Sequence, residues 1–255
     1  MDPLPALVIP ALRPAARLVP LVNRLLEDGY PRIVIVDDGS GSGHRPVFER
    51  LRRLPRVEVL THMVNLGKGA ALKTGLNHLF AEDPDLWGVV TVDSDGQHLP
   101  EDVRRVAAAL AENPDRLVMG VRAFEGPVPW KSRIGNGLSR WILWILSGQR
   151  LGDTQTGLRG IPRDFVPVLL PIRASRYDFE QEMIVLASRH GVRLLQVPIQ
   201  TLYRDDNQGS HFDPIADSLR VYLVFFLVLM RALRTTLLDF AVFAACFWLG
   251  APLLA

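Results

Sequence analysis

Residues 89–98 read Val89-Val90-Thr91-Val92-Asp93-Ser94-Asp95-Gly96-Gln97-His98: a short, continuous, β-branched run that ends abruptly in two carboxylates, a glycine, an amide and an imidazole. A run of this kind, apolar on both faces, predicts a buried strand of a parallel sheet. The same pattern recurs upstream at Ala6–Ile9, Ile33–Val36 and Val57–Leu60, and downstream at Leu117–Met119. Between these runs, helical periodicity predicts helices near 15–28, 45–54, 68–82 and 100–112. The last opens on Pro100, Glu101 and Asp102, which suit a first helical turn. A helix near Phe179–His190 and a strand at Arg193–Val197 follow. Strands alternating with helices predict an α/β domain with a largely parallel sheet covered on both faces.

Ligands of such sheets bind beyond the carboxyl ends of the strands. Two acidic clusters are expected there, Asp37-Asp38-Gly39-Ser40 after the second strand and the Asp93–His98 segment after the fourth. In an extended chain Asp93 and Asp95 point the same way. Two converging carboxylates repel unless a cation lies between them, and an all-oxygen set suits Mg²⁺ or Mn²⁺ on a diphosphate. Taken alone, the Asp-x-Asp pair would read as a turn with Asp93 solvated; Asp37 and Asp38 on the same strand edge raise the case for a site. Asn65-Leu66-Gly67-Lys68-Gly69 opens the third helix and sets a cation at a helix N-terminus, where anions are favoured. It is not a P-loop, because Lys68 is followed by glycine.

These three segments in this order resemble glycosyltransferase family 2, above all the dolichol- and polyprenol-phosphate mannose and glucose synthases. The resemblance covers about residues 4–215. It implies a GT-A (Rossmann-like) catalytic domain and inverting transfer of a hexosyl group from a UDP- or GDP-linked nucleotide sugar to polyprenyl phosphate. It also implies residue roles. Asp95 and Gln97 hold the metal with Asp93, and Asp37 faces the nucleoside, with Pro10, Asp38, Lys68 and Asp93 completing the donor side. Arg122 touches phosphate, Arg133 lies near the acceptor, and Asp153 and Arg159 belong to the acceptor segment. The catalytic set is Asp93, Asp95, Arg122 and Arg133. Pro10-Ala11-Leu12-Arg13-Pro14 departs from the family's Pro-x-Tyr-Asn-Glu, which leaves the base open. Glu180 and Glu182 open a helix, and dipole stabilisation explains them as well as catalysis does.

Net charge is +2 across 255 residues, so no nucleic-acid partner is expected. The single cysteine, Cys246, excludes an internal disulfide and a cysteine-rich zinc site and fits a reducing compartment. No signal peptide is expected at Met1-Asp2-Pro3-Leu4. The tail is apolar: Leu219–Met230, then Arg231 and Arg234, then Leu237–Leu254 interrupted by Asp239. About 18–20 helical residues just span a hydrocarbon core of about 30 Å. The expected organisation is therefore a catalytic domain over 1–215, and a juxtamembrane helix with one membrane span over 216–255. The flanking arginines put the domain on the cytoplasmic side of the cell membrane. Trp141–Leu146 reads as a core helix in preference to one lying on the membrane surface. The alternatives are transfer to a sugar hydroxyl in polysaccharide synthesis and an inactive membrane scaffold. A sugar nucleotidyltransferase would need a glycine-rich basic loop after the first strand, and a processive synthase a Gln-x-x-Arg-Trp motif. Assembly state, a homo-oligomer included, is left open.

Overall fold

The computed structural model describes residues 4–122, 152–153, 156–200, 230, 233–245 and 248. Its strands are β1 (Ala6–Ala11), β2 (Ile33–Asp37), β3 (Val57–Thr61), β4 (Gly88–Thr91), β5 (Arg116–Arg122), β6 (Arg159–Pro162) and β7 (Arg193–Ile199). Its helices are α1 (Leu18–Glu27), α2 (Arg45–Arg52), α3 (Lys68–Glu82), α4 (Pro100–Glu112), the short α5 (Val166–Leu169) and α6 (Asp178–Arg189). The strands form one sheet in the order β3-β2-β1-β4-β6-β5-β7. All neighbours pair in parallel except β6, which runs antiparallel to both β4 and β5. The expected α/β architecture with a largely parallel sheet is what the chain adopts. Strand β6 escaped the sequence reading because Arg-Gly-Ile-Pro carries no apolar run, and only pairing on both sides makes it a strand.

The continuous apolar strands are buried on both faces, as their composition requires. Leu7, Ile9, Ile33 and Ile35 join α1, α2 and α4 in one core. Val8 and Val36 point the other way and receive α3: a Cβ on Gly75 would lie 2.7 Å from Val8 Cγ1 and 3.3 Å from Val36 Cγ2, so glycine permits this close approach.

The chain order reverses between β1 and β4, which makes that gap the switch point of the sheet. Leu7 N–H donates to Arg32 O, whereas Val8 O accepts from Val92 N–H, so alternate residues of β1 address β2 and β4. Pro10 falls in the set facing β4 and has no N–H to offer. The β1–β4 register accordingly stops at Val8↔Thr91, while β1–β2 pairing continues to Ala11↔Asp37. Pro10 is a buried strand residue, and its effect is to end the ladder at the switch point.

The chain divides into two compact units, residues 1–212 and 213–255. In the second, residues 233–245 are helical. Among the described residues no helix is long and apolar enough to cross a membrane. The expected span Leu237–Leu254 lies partly outside the described residues, and Arg133 and Trp141–Leu146 lie wholly outside them.

Candidate active site

Asp93 follows β4 at the carboxyl edge, one residue past the strand's continuation at Val92. Its Oδ1 lies 2.7 Å from Lys68 Nζ and its Oδ2 3.1 Å from His98 Nε2. Lys68, the first residue of α3, also reaches Glu180 Oε1 at 3.0 Å and lies 5.6 Å from the Tyr177 ring centre. Burial would raise the Asp93 carboxyl, but Lys68 and His98 outweigh it and hold the group well below the ordinary carboxylate range. Burial would likewise lower the Lys68 ammonium, and Asp93 and Glu180 together hold it well above the ordinary lysine range. The cluster is thus one fixed cation held between two carboxylates. Its third wall is backbone: a Cβ on Gly157 would fall 2.3 Å from Asp93 Oδ1.

Asp95 lies in the turn beyond Asp93, with Oδ1 accepting from Gln97 N–H at 3.0 Å. The strand ends at Thr91, so the alternation argument does not apply to Asp93 and Asp95. A turn brings them together instead. Burial first, and the neighbouring Asp93 charge second, push the Asp95 carboxyl up. Asp95 is therefore a carboxylate short of positive charge, with Gln97 beside it half-buried. Asp93 and Asp95, with Gln97 two residues on, offer oxygen donors of the kind a hard divalent cation takes.

Asp37 and Asp38 behave differently from each other. Asp37 Oδ1 accepts from Ser40 N–H at 2.9 Å and shapes the turn after β2. Asp38 is 2% exposed. Its oxygens accept from Leu66 N–H (2.9 Å) and Gly67 N–H (2.8 Å), and Oδ1 meets His62 Nδ1 at 2.8 Å. His62 is itself held by Thr74 Oγ1 at 2.9 Å. Asp38, expected on the donor side, thus fastens the loop that delivers Lys68. Gly39, at φ +72°, lets the chain pass where a Cβ would lie 2.4 Å from the Val64 carbonyl carbon.

The expected phosphate-handling arginines are also placed. Arg122, at the carboxyl end of β5, forms a two-pronged pair with the fully buried Asp153: Nε donates to Oδ2 and Nη2 to Oδ1 at 3.1 Å. Arg159 is 1% exposed. Its Nη1 donates to Glu180 O at 2.6 Å and its Nε to Thr156 O at 3.1 Å, so it binds β6 to the start of α6. Arg159, expected at the acceptor segment, is placed here as a buried guanidinium that donates to main-chain carbonyls of Thr156 and Glu180. Glu180 is 4% exposed, and its carboxylate reaches Lys68. His98 was visible as part of its motif, but its contact with Asp93 depends on the turn. Among the described residues Glu58, His78 and Glu82 also come within metal-binding reach of one another. They lie at the opposite edge of the sheet, and the Arg32 guanidinium already pairs with both carboxylates.

Comparison with known proteins places these observations. The family described as Glycosyl transferase family 2 matches residues 6–161. A Methanococcus voltae protein named UDP-N-acetylglucosamine–dolichyl-phosphate N-acetylglucosaminyltransferase is 31% identical over 224 residues, spanning 80% of this chain and 88% of the relative. The polyprenol monophosphomannose synthase of Mycolicibacterium smegmatis is 27% identical over 208 residues, 73% of each chain. Among solved structures, glucosyl-3-phosphoglycerate synthase from Mycobacterium tuberculosis, in complex with Mn²⁺, UDP and phosphoglyceric acid, superposes with a TM-score of 0.66. The alignment covers 89% of this chain and 78% of that one at 19% identity, a likeness of fold.

Proposed function

The chain belongs to glycosyl transferase family 2 and is a glycosyltransferase, and on that premise we propose that it moves a hexosyl group from a nucleotide sugar to the phosphate of a polyprenyl phosphate. The relatives named above support the acceptor class. The observation that carries the reading is the Lys68–Asp93–Glu180 cluster beside the charge-deficient Asp95, all at the switch point where Pro10 ends the β1–β4 ladder. In this reading the nucleoside diphosphate lies across that gap. Asp93, Asp95 and Gln97 would hold Mg²⁺ or Mn²⁺, which supplies positive charge to the departing diphosphate. Lys68 keeps Asp93 ionised and in place, and Asp38 holds the loop that carries Lys68.

The reacting nucleophile is an oxygen of the acceptor phosphate. It bonds to the anomeric carbon as the bond from that carbon to the nucleoside diphosphate breaks, with inversion. A phosphate monoester has a second pKa of about 6 and is largely ionised at neutral pH, so no strong base is required. Arg122, oriented by Asp153, is the described guanidinium on the acceptor side, and Arg133 is assigned the same task. The domain works at the cytoplasmic face of a membrane, anchored through Leu237–Leu254.

The test is a panel of UDP- and GDP-sugars incubated with the full chain and polyprenyl phosphate, read by mass of the lipid product. A glycosyl phospholipid from one donor supports the reading. Efficient glycosylation of soluble sugars with polyprenyl phosphate ignored would reject it.

A further inference from the structure

The loop joining β3 to α3 is apolar where it has no reason to be. Met63 is 98% exposed, Val64 59% and Leu66 48%, three large side chains within four positions. A loose loop could fold such groups away, but this one is fastened. Asp38 takes the N–H groups of Leu66 and Gly67, and the turn at Gly39 presses against the Val64–Asn65 backbone. The outward display is therefore built in, at a cost in hydration that asks for an apolar partner. The loop leaves the carboxyl end of an edge strand, so it sits on the same rim as Lys68 and Asp93.

Cations flank it. Arg52 Nη2 donates to Thr61 Oγ1 at 2.8 Å, two residues before Met63. On the other side Arg176 is exposed, with its Cγ 2.7 Å from where a Gly67 Cβ would lie. Neither arginine forms an ion pair among the described residues. An apolar tip between two arginines without an ion-pair partner among the described residues matches the surface of an anionic bilayer, where side chains enter the acyl boundary and guanidinium groups meet headgroups.

We propose that Met63, Val64 and Leu66 insert into an anionic membrane surface, with Arg52 and Arg176 on its headgroups, and so set the rim of the active site against the bilayer. The inference deepens the lipid-acceptor reading, because it brings the site to where a lipid phosphate presents itself. It does not depend on activity for its test.

In the full chain with Cys246→Ser, Met63→Cys carries an environment-sensitive fluorophore. Addition of phosphatidylglycerol vesicles should shift its emission to the blue and make it quenchable by nitroxide-labelled lipid. Replacing Met63, Val64 and Leu66 with serine should lower transfer to vesicle-embedded polyprenyl phosphate about ten-fold, the scale expected for partly burying three side chains. Transfer to a short, detergent-dispersed isoprenyl phosphate should be unchanged. Arg52→Glu with Arg176→Glu should weaken the spectral response on anionic vesicles. An unchanged spectrum with the chain bound to vesicles overturns the proposal. So does a shift produced by UDP without lipid, or by raising protein concentration without lipid, since those assign the loop to nucleotide or to a second copy. Insertion without any glycosyl transfer would sustain this inference while rejecting the lipid-acceptor reading.

Discussion

Gly157 shows how little room the site leaves at the scale of one residue. Its missing side chain is the space the Asp93 carboxylate occupies, with a Cβ 2.3 Å from one oxygen and 2.4 Å from the other. Adding a methyl there must move either the carboxylate or β6's approach. Overpacking of this kind costs about 1–3 kcal/mol. Misplacing a reacting group by about 1 Å can cost about 100-fold in rate. Gly157→Ala is therefore expected to lower kcat/KM by about two orders of magnitude while the thermal midpoint falls by only a few degrees. Equal retention of rate would show that Asp93 need not sit where it does. At the same scale, Asp95 shows why a motif is not yet a mechanism: its spacing from Asp93 was readable, but the burial that pushes its carboxyl up was not.

Among elements, the decisive contact runs from the end of β2 to the start of α3. Asp38 is a buried carboxylate that accepts two main-chain N–H groups and meets His62. Hydrogen bonds to a charged group are worth about 1.5–3 kcal/mol each, less whatever water restores. Asp38→Ala should lower stability by about 2–4 kcal/mol in denaturant melts, and kcat/KM by about ten-fold or more, because the loop carrying Lys68 is freed. Intact activity would mean that Lys68 finds its place unaided. A second prediction concerns the Arg32 cluster, which joins the starts of β2 and β3 to the end of α3. The hydrogen bond from Arg32, helped by His78 and opposed by burial, holds the Glu58 carboxyl below its ordinary value of 4.5. A depressed carboxyl stabilises the fold above its unfolded pKa, and that contribution is lost as pH falls through the folded value. Glu58→Gln should thus lower the thermal midpoint slightly at pH 7, by the small amount typical of a half-exposed ion pair, and the gap should close toward pH 3. A gap that widens on acidification would contradict the sign.

Considered whole, the sheet gathers the charged groups of the candidate site along its carboxyl rim, and the GT-A-like architecture explains why. Strand ends at a switch point cannot all pair, so polar groups gather where the ladder stops. Chelation tests this scale of organisation. Excess chelator should abolish glycosyl transfer by the full chain, and Mn²⁺ or Mg²⁺ should restore it without altering the melting profile by more than a ligand-binding increment. Undiminished transfer in chelator would remove the metal from the proposal and leave Lys68 and Arg122 to balance the diphosphate charge.

Much of this was written locally. Continuous β-branched runs dictate buried parallel strands, and helical periodicity with Pro100 and its acidic neighbours dictates where α4 begins, because both signals depend only on neighbouring residues. The carboxylates at strand ends were legible for the same reason. Strand β6 was not, since four residues with a glycine and a proline become a strand only when β4 and β5 supply partners. Nor could the sequence separate Asp37 from Asp38, or show that Arg159 is buried. It could not join Lys68 to both Asp93 and Glu180 either. Those assignments depend on which distant segments share one dielectric pocket, and burial, not residue type, decides whether a charge faces a ligand or holds the fold that presents it.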